Sequence, residues 1–324
     1  LDRHGDGDVL GILAGQRTLL FLFNTAFLAM LLVWGVEGTS GNKSWLHFPF
    51  LPFNIQPAEV CKITYIIILA KTMSLNRNRI SSLRSVGTLT FHMLWIVALI
   101  VVISHDTGVA LIFMFLFVVM AYVGGVSGWW FLGGAGAVAA VSPYLWKYFI
   151  RDDQKQRILA LIDPSIDPDG LGVLWQTNKS LEALRNGGLT GQGLFHGDLT
   201  SIGYLPAQHT DSIFSSIGEQ LGMLGCLAAL FLLLAIVLRC IQVGMKSPDY
   251  MNRLICIGIA SMLLFQILIN VGVCLGLFPV VGLALPFLSY GGSSILTSFL
   301  AMGIVSGIKM RPAPDMSAHY IRPY

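Results

Sequence analysis

Eight apolar runs, near residues 18–36, 57–73, 88–104, 107–125, 129–149, 213–239, 251–275 and 286–308, constrain this chain more than any other feature. Each approaches the ~20 residues an α-helix needs to cross a hydrocarbon core. Backbone in lipid must satisfy its own hydrogen bonds, which leaves helices and closed barrels as spanning structures. Charged residues make up 11% of the 324 and hydrophobic ones 55%, against roughly 25% charged in a soluble domain. The expectation is an all-α polytopic membrane protein of about eight transmembrane helices, a single domain over residues 1–324.

The charges between the runs orient the bundle. Lys71, Arg77, Arg79 and Arg84 fall in one loop, Arg239, Lys246 and Arg253 in another, and Lys309 and Arg311 open the tail. With eight alternating spans these land on one side, which the positive-inside rule makes cytoplasmic. The opposite side receives 37–56, the 104–106 turn, the loop 150–212 and the 276–286 turn, with only Lys43 basic among its short loops. The net charge of +3 therefore speaks to topology and lipid headgroups rather than to nucleic acid. Cys61, Cys226, Cys240, Cys256 and Cys274 lie in or beside spans without Cys-x-x-Cys spacing, so neither a zinc site nor a disulfide framework is expected. Asp2 to Asp8 reads as a polar loop, and the start lacks the pattern of a signal peptide.

A loop of about 60 residues in a compact bundle is usually functional or disordered, and 150–212 has the composition of a structured cap. Gln154 to Ile162 is amphipathic, Asp163-Pro164 and Asp167-Pro168 mark turns, Leu174 to Leu184 reads as a second helix, and 186–193 is glycine-rich.

Four stretches carry candidate chemistry. In 204–222 a polar loop gives way to an apolar run at Asp211, which reads either as a functional carboxylate or, with Thr210, as a helix cap. Gln56 to Lys62 opens a span with Glu59 and Lys62 three apart on one helix face, a neutralising pair or a charged cleft wall. Ser104 to Gly108 reads first as a turn with Asp106 capping the next helix, and otherwise as cavity wall together with His105. Residues 275–294, with Pro279, Pro286 and several glycines, imply broken backbone at membrane depth, either lining a cavity or forming a tightly packed hairpin.

Together these stretches resemble the SEDS family (shape, elongation, division and sporulation), the group of RodA, FtsW and SpoVE. IQPAEVCKI is similar to its Gln-Pro-Ser-Glu-x-x-Lys segment, and DPSIDPDGLG with NGGLTGQG resembles its long outer loop. LPAQHTDSIFSSIGEQLGMLG resembles its Leu-Pro-x-x-His-Thr-Asp-Phe-Ile-Phe signature, and NVGVCLGLFPVVGLALPFLSYGGSS its last outer loop and span. Departures are Ser212 for Phe, Ala58 for Ser, and Ser104-His105 where Gln-Pro usually precedes Asp106. The family has ten spans and the likeness starts at the third, so two helices are expected to be missing here.

The resemblance implies a peptidoglycan glycosyltransferase polymerising lipid II at the outer face of the cytoplasmic membrane in elongation, division or sporulation, with a class B penicillin-binding protein as transpeptidase partner. The transfer needs a base to take the hydroxyl proton, and Asp211 is expected to be that base, held ionised by the positive end of the helix that follows it. Glu59, Lys62, Arg157, His209, Thr210, Glu219 and Ser289 are expected around the substrate, with Glu219, about two turns deeper, as structural support or a secondary contributor. Positive charge at the departing pyrophosphate is assigned to Lys62, Arg157 or a divalent cation, Mg or Mn. Two other functions fit the same residues: a flippase for lipid-linked precursors and a non-catalytic scaffold of the cell-wall machinery.

Overall fold

The apolar runs become helices because nothing inside them stops one, and punctuation sits at their ends. In the computed structural model, which describes residues 5–36, 43–48, 54–148 and 150–310, the long helices are α1 (Gly5–Trp34), α2 (Pro57–Leu75), α3 (Leu83–Leu99), α4 (Thr107–Val123) and α5 (Gly128–Tyr148). Three shorter ones, α6 (Asp152–Ile162), α7 (Trp175–Gly187) and α8 (Asp198–Ser201), build the loop, and α9 (Ile213–Lys246), α10 (Tyr250–Cys274) and α11 (Gly292–Met310) complete the bundle. Pro57 at the first helical position starts α2, where its missing N–H costs nothing. Asp249 starts α10 by accepting from the Met251 and Asn252 N–H groups.

Each apolar run thus has its long helix, and five helical stretches, Gln16–Trp34, Leu83–Ser104, Ile213–Lys246, Tyr250–Cys274 and Gly292–Met310, are long and apolar enough to cross a membrane. The other three miss that mark for local reasons. α2 carries Glu59, Lys62 and Lys71, α4 has 17 residues, and α5 is diluted by glycine and tryptophan. Two expectations are corrected. Residues 5–8 are helical rather than loop, because the following Val-Leu-Gly-Ile-Leu-Ala-Gly contains no stop. The last span starts at Gly292 rather than 286, because the chain through Pro279 and Pro286 stays irregular. Asp2, Arg311 and the rest of the tail lie outside the described residues.

The two ends of the bundle differ in chemistry. At one end the basic loops meet: the Arg77 guanidinium sits 4.7 Å over the Tyr250 ring, and the Tyr250 hydroxyl donates to the Gly124 carbonyl at 2.8 Å. Ser81 there accepts from the Ser127 N–H and, through its carbonyl, from Trp130 Nε1. That tether holds the foot of α5, which is otherwise exposed along its length apart from Phe131. The acidic candidates collect at the other end, under the long loop.

α9 is the unusual element. It breaks at Gly222, whose φ of 68° and ψ of −168° are not helical, and the glycine-rich loop plugs the break. Gln192 and Gly193 N–H groups donate to the Glu219 and Gln220 carbonyls, and Met223 and Leu224 N–H groups donate to Gly188 and Leu189. Backbone freed from a helix is thereby re-satisfied within protein. The segment before the break buries Ser215, Ser216, Gly218 and Glu219, whereas the segment after it exposes Met223, Leu224, Leu227, Phe231 and Leu232. Only the second part has the apolar outer surface that lipid requires.

Candidate active site

Asp211 lies in the loop just before α9, and its backbone is fixed from four directions. Its carbonyl accepts from Asn270 Nδ2 at 2.9 Å and from Cys274 Sγ at 3.6 Å, both on α10. The two preceding carbonyls are held from the 285–290 segment, His209 by the Tyr290 N–H and Thr210 by Ser289 Oγ. On the other side, Ala207, at φ 48°, receives the N–H groups of Thr210 and Ser212 on its carbonyl. A non-glycine residue in that region costs on the order of 1–3 kcal/mol and persists where its surroundings over-determine it.

The carboxylate itself accepts no hydrogen bond among the described residues. It faces a depression lined by Ile269, Asn270, Val273, Val281, Gly282 and Leu283. Gly282, at φ 68°, leaves room there, since a Cβ on it would stand 3.8 Å from Asp211 Oδ2. The neighbouring Val281 backbone packs against α4 so closely that a Cβ on Gly108 would lie 2.4 Å from the Val281 carbonyl oxygen. This places the N-terminus of α4, with Asp106, beside the Asp211 depression.

Asp106 caps α4 by accepting from the Val109 N–H at 3.0 Å, as its sequence position suggests, and it also acts electrostatically on Asp211. Next to it, Lys62 Nζ donates to Glu59 Oε1 at 2.8 Å, with Lys62 fully buried. Burial pushes Asp106 above the usual carboxylate range against the pull of the Val109 N–H, with Glu59 adding to the rise. Burial first, and then the Asp106 charge, raise Asp211 to about 6. Asp211 thus stays mostly ionised at neutral pH, but against its surroundings rather than with the help of a helix N-terminus, which corrects the expected cause. Ser212 is the α9 cap residue, it makes no side-chain cap bond, and neither Thr210 nor Asp211 caps the helix.

Several residues expected around the substrate are occupied elsewhere. Glu219 is fully buried, and its two oxygens take the Leu199 and Thr200 N–H groups at 2.8 and 2.9 Å, so it anchors the loop. Ser289 is 1% exposed, with its hydroxyl donating to the Thr210 carbonyl and accepting from the Leu285 N–H, so it clamps the backbone. Thr210 Oγ1 turns back to the Ala207 carbonyl, and His209 is exposed with a ring nitrogen 3.1 Å from Gln208 Nε2. Arg157 reaches across from α6 to the Val280 carbonyl at 3.1 Å, at the rim of the depression, while Gln154 bonds Thr107. Lys62 lies too deep to touch a substrate and acts only through its field.

Asn270 did not announce itself as a site residue, and Gly282 and Gly108 were legible only as members of the 275–294 and 104–108 stretches. Asn270 had a signal: an amide within a span is costly unless it has partners, and this one, 2% exposed, bonds both Asp211 and Leu283 carbonyls. Among the described residues no three His, Cys, Asp or Glu side chains gather into a metal-holding set. The donors present thus form no dedicated cage for Mg or Mn.

The Glu59–Lys62 pair yields a stability prediction. Removing either partner strands a buried charge and costs about 3–5 kcal/mol, whereas replacing both with apolar groups is often neutral. Glu59→Leu and Lys62→Met should therefore each lower the melting temperature of purified protein more than the double variant does. Additive losses would show that the two do not depend on each other.

Comparison with known proteins identifies the family. The family model for FtsW, RodA and SpoVE, described as a cell cycle protein, matches residues 13–313. A probable peptidoglycan glycosyltransferase FtsW of Trichlorobacter lovleyi is 35% identical over 307 residues, 93% of this chain and 78% of the relative. The peptidoglycan glycosyltransferase MrdB of Escherichia coli is 32% identical over 272 residues, 83% of this chain and 71% of the relative. A solved chain from a peptidoglycan synthase complex that coordinates polymerization and crosslinking superposes with a TM-score of 0.74 at 29% identity, over 95% of this chain and 83% of that one. The rod shape determining protein RodA of Thermus thermophilus gives 0.63 at 26% identity, over 92% and 80%. With its apolar spans, the chain belongs to the FtsW, RodA and SpoVE family, as a multi-pass protein of the bacterial cytoplasmic membrane.

Proposed function

We propose that this protein is a peptidoglycan glycosyltransferase polymerising lipid II at the outer face of the membrane, in elongation, division or sporulation, as one SEDS domain whose 150–212 loop lies outside. The observation that carries the reading is the Asp211 carboxylate: half-buried, fixed by its backbone, and free of hydrogen bonds from the described residues. Names of relatives on both sides of the family support the activity. Likeness to the synthase complex supports a transpeptidase partner, a class B penicillin-binding protein.

The chemistry is a single displacement. An acceptor sugar hydroxyl attacks the anomeric carbon of the donor, its proton passes to Asp211 as the new C–O bond forms, and the bond to the lipid pyrophosphate breaks. The pyrophosphate departs on the lipid, the anomeric configuration inverts, and Asp211 returns its proton to water. Arg157 spends one of its five N–H donors on Val280 and can offer the rest to the pyrophosphate, with Lys62 contributing charge from behind. A polyprenyl tail stays among the helices while the disaccharide sits under the loop.

Incubating the purified protein with labelled lipid II, with and without the transpeptidase, tests the reading directly. Glycan polymer supports it. Lipid translocation across vesicles without polymer would replace it with the flippase, and neither product would leave the scaffold.

The raised Asp211 fixes the direction of the pH dependence. A base works deprotonated, so activity should rise with pH through about 6. Asp106→Asn removes a charge that opposes ionisation, so its acid limb should move to lower pH, while the larger effect of burial remains. Polymerisation rates between about pH 4.5 and 8 measure both limbs, and an unmoved limb in Asp106→Asn would separate the two acids.

Orientation is tested by cysteines introduced at positions 190 and 320, since the five native ones are buried. A membrane-impermeant thiol reagent on intact protoplasts should label position 190 and spare position 320. The reverse pattern would invert the bundle.

A further inference from the structure

At the end of the bundle away from Asp211, basic side chains from three helices come together, and among the described residues no acid joins them. Lys71 on α2 is 6% exposed, and its Nζ donates to the neutral Gln16 Oε1 on α1 at 2.6 Å. Arg17, the next residue on α1, lies close enough to exert like-charge repulsion on both Lys71 and His92 of α3. His92 gives Nδ1 to the Thr88 carbonyl at 2.7 Å and meets the Phe21 ring edge-on.

Among the described residues neither Arg17 nor Lys71 meets a carboxylate, and the four ion pairs found there involve other side chains. The α1 residues just before Gln16, from Val9 to Gly15, contain no acid, and Asp8 stands nine residues before Arg17, about 13 Å along a helix. Two buried or half-buried cations without a counter-charge are costly. An anion from outside the chain resolves the imbalance.

Depth identifies the kind of anion. Arg17 stands 17 residues before the far end of α1 at Trp34, about 26 Å along a helix against a hydrocarbon core of about 30 Å, so its long side chain reaches the near interface. A guanidinium there sits at headgroup level. Its planar fork matches two phosphate oxygens, with a lysine ammonium suited to act behind it as a point charge. Gln16 is exposed and its Oε1 is taken by Lys71, which leaves its two Nε2 donors for an anion.

We propose that Gln16, Arg17 and Lys71 form a binding site for the phosphate of an anionic phospholipid headgroup. The site is remote from the acidic cluster and independent of the glycosyl-transfer reading. Native mass spectrometry of the purified protein, offered equimolar phosphatidylglycerol and phosphatidylcholine, reads retention of the anionic lipid. Wild-type protein should keep phosphatidylglycerol, and Arg17→Gln and Lys71→Gln should each lower that retention about five-fold, the scale of one basic group at an anionic surface. Arg84→Gln, which removes an exposed charge from the same end, should keep it. Loss of equal size in Arg84→Gln, or full retention in Arg17→Gln, would overturn the proposal. The half-buried Arg17 keeps the test open even if Lys71→Gln fails to fold. A parallel melting series with inorganic phosphate separates the sources: stabilisation by phosphate equal to that by phosphatidylglycerol, and lost in Arg17→Gln, would assign the site to free phosphate and sink the lipid reading.

Discussion

Asp211→Asn protein, folded and inserted as wild type, is expected to polymerise lipid II about 10²–10⁴-fold more slowly, the scale of a lost general base. The substitution keeps the shape of the side chain and removes the basic oxygen. It leaves the backbone clamps to Asn270, Cys274, Tyr290 and Ser289 in place, because those bonds end on carbonyls of residues 209–211. No neighbour can take over the role. Glu219 has both oxygens bound to the loop, Glu59 is tied to Lys62, and Asp106 is held by its cap bond. Gel separation of labelled glycan products, beside melting curves for both proteins, measures the outcome. Chains of normal length and yield from a well-folded Asp211→Asn protein would remove the assignment and bring the flippase forward.

Gly222→Ala is expected to abolish the folded cap. A Cβ at Gly222 would stand 2.4 Å from the Gly191 nitrogen and 2.5 Å from the Leu189 carbonyl, all backbone atoms, and its φ of 68° disfavours any side chain. The left-handed conformation alone costs on the order of 1–3 kcal/mol, and the clash adds to it because two chain segments must part. Gly133→Ala is the matched comparison: nothing lies within 4 Å of its Cβ, and alanine is worth up to about 1 kcal/mol over glycine inside a helix. Thermal denaturation together with limited proteolysis at residues 186–197 should show early melting and cleavage in the first variant and neither in the second. Intact, protease-resistant Gly222→Ala protein would mean that the loop does not sit in the break.

The membrane class and the sites of the long helices were legible because both rest on local signals: hydropathy over about 20 residues and capping or breaking residues at the ends. Pro57, Asp106 and the two loop helices fall where such signals put them. What local signals miss is set by contacts across the chain. Ile213–Lys246 reads as one apolar segment, and its break shows only in the company of Gly188–Gly193, some 30 positions earlier. Ser289 and Glu219 have the chemistry of substrate ligands, but bonds to residues 79 and 20 positions away had already claimed them. Asp211 was found by its place at a polar-to-apolar boundary, whereas its raised pKa follows from burial and from Asp106, 105 positions earlier.

The plug in the α9 break also has a mechanical meaning. Residues 213–221 form a rod about 13 Å long, with the carboxylate at one end and the four bonds to the glycine-rich loop at the other. A protein that presses on the loop at Thr190 to Gly193 must either break those bonds or carry the rod with it. Force applied far from the chemistry is then carried to the Asp211 end of the rod, where the bonds from Asn270, Cys274, Ser289 and Tyr290 must bear it.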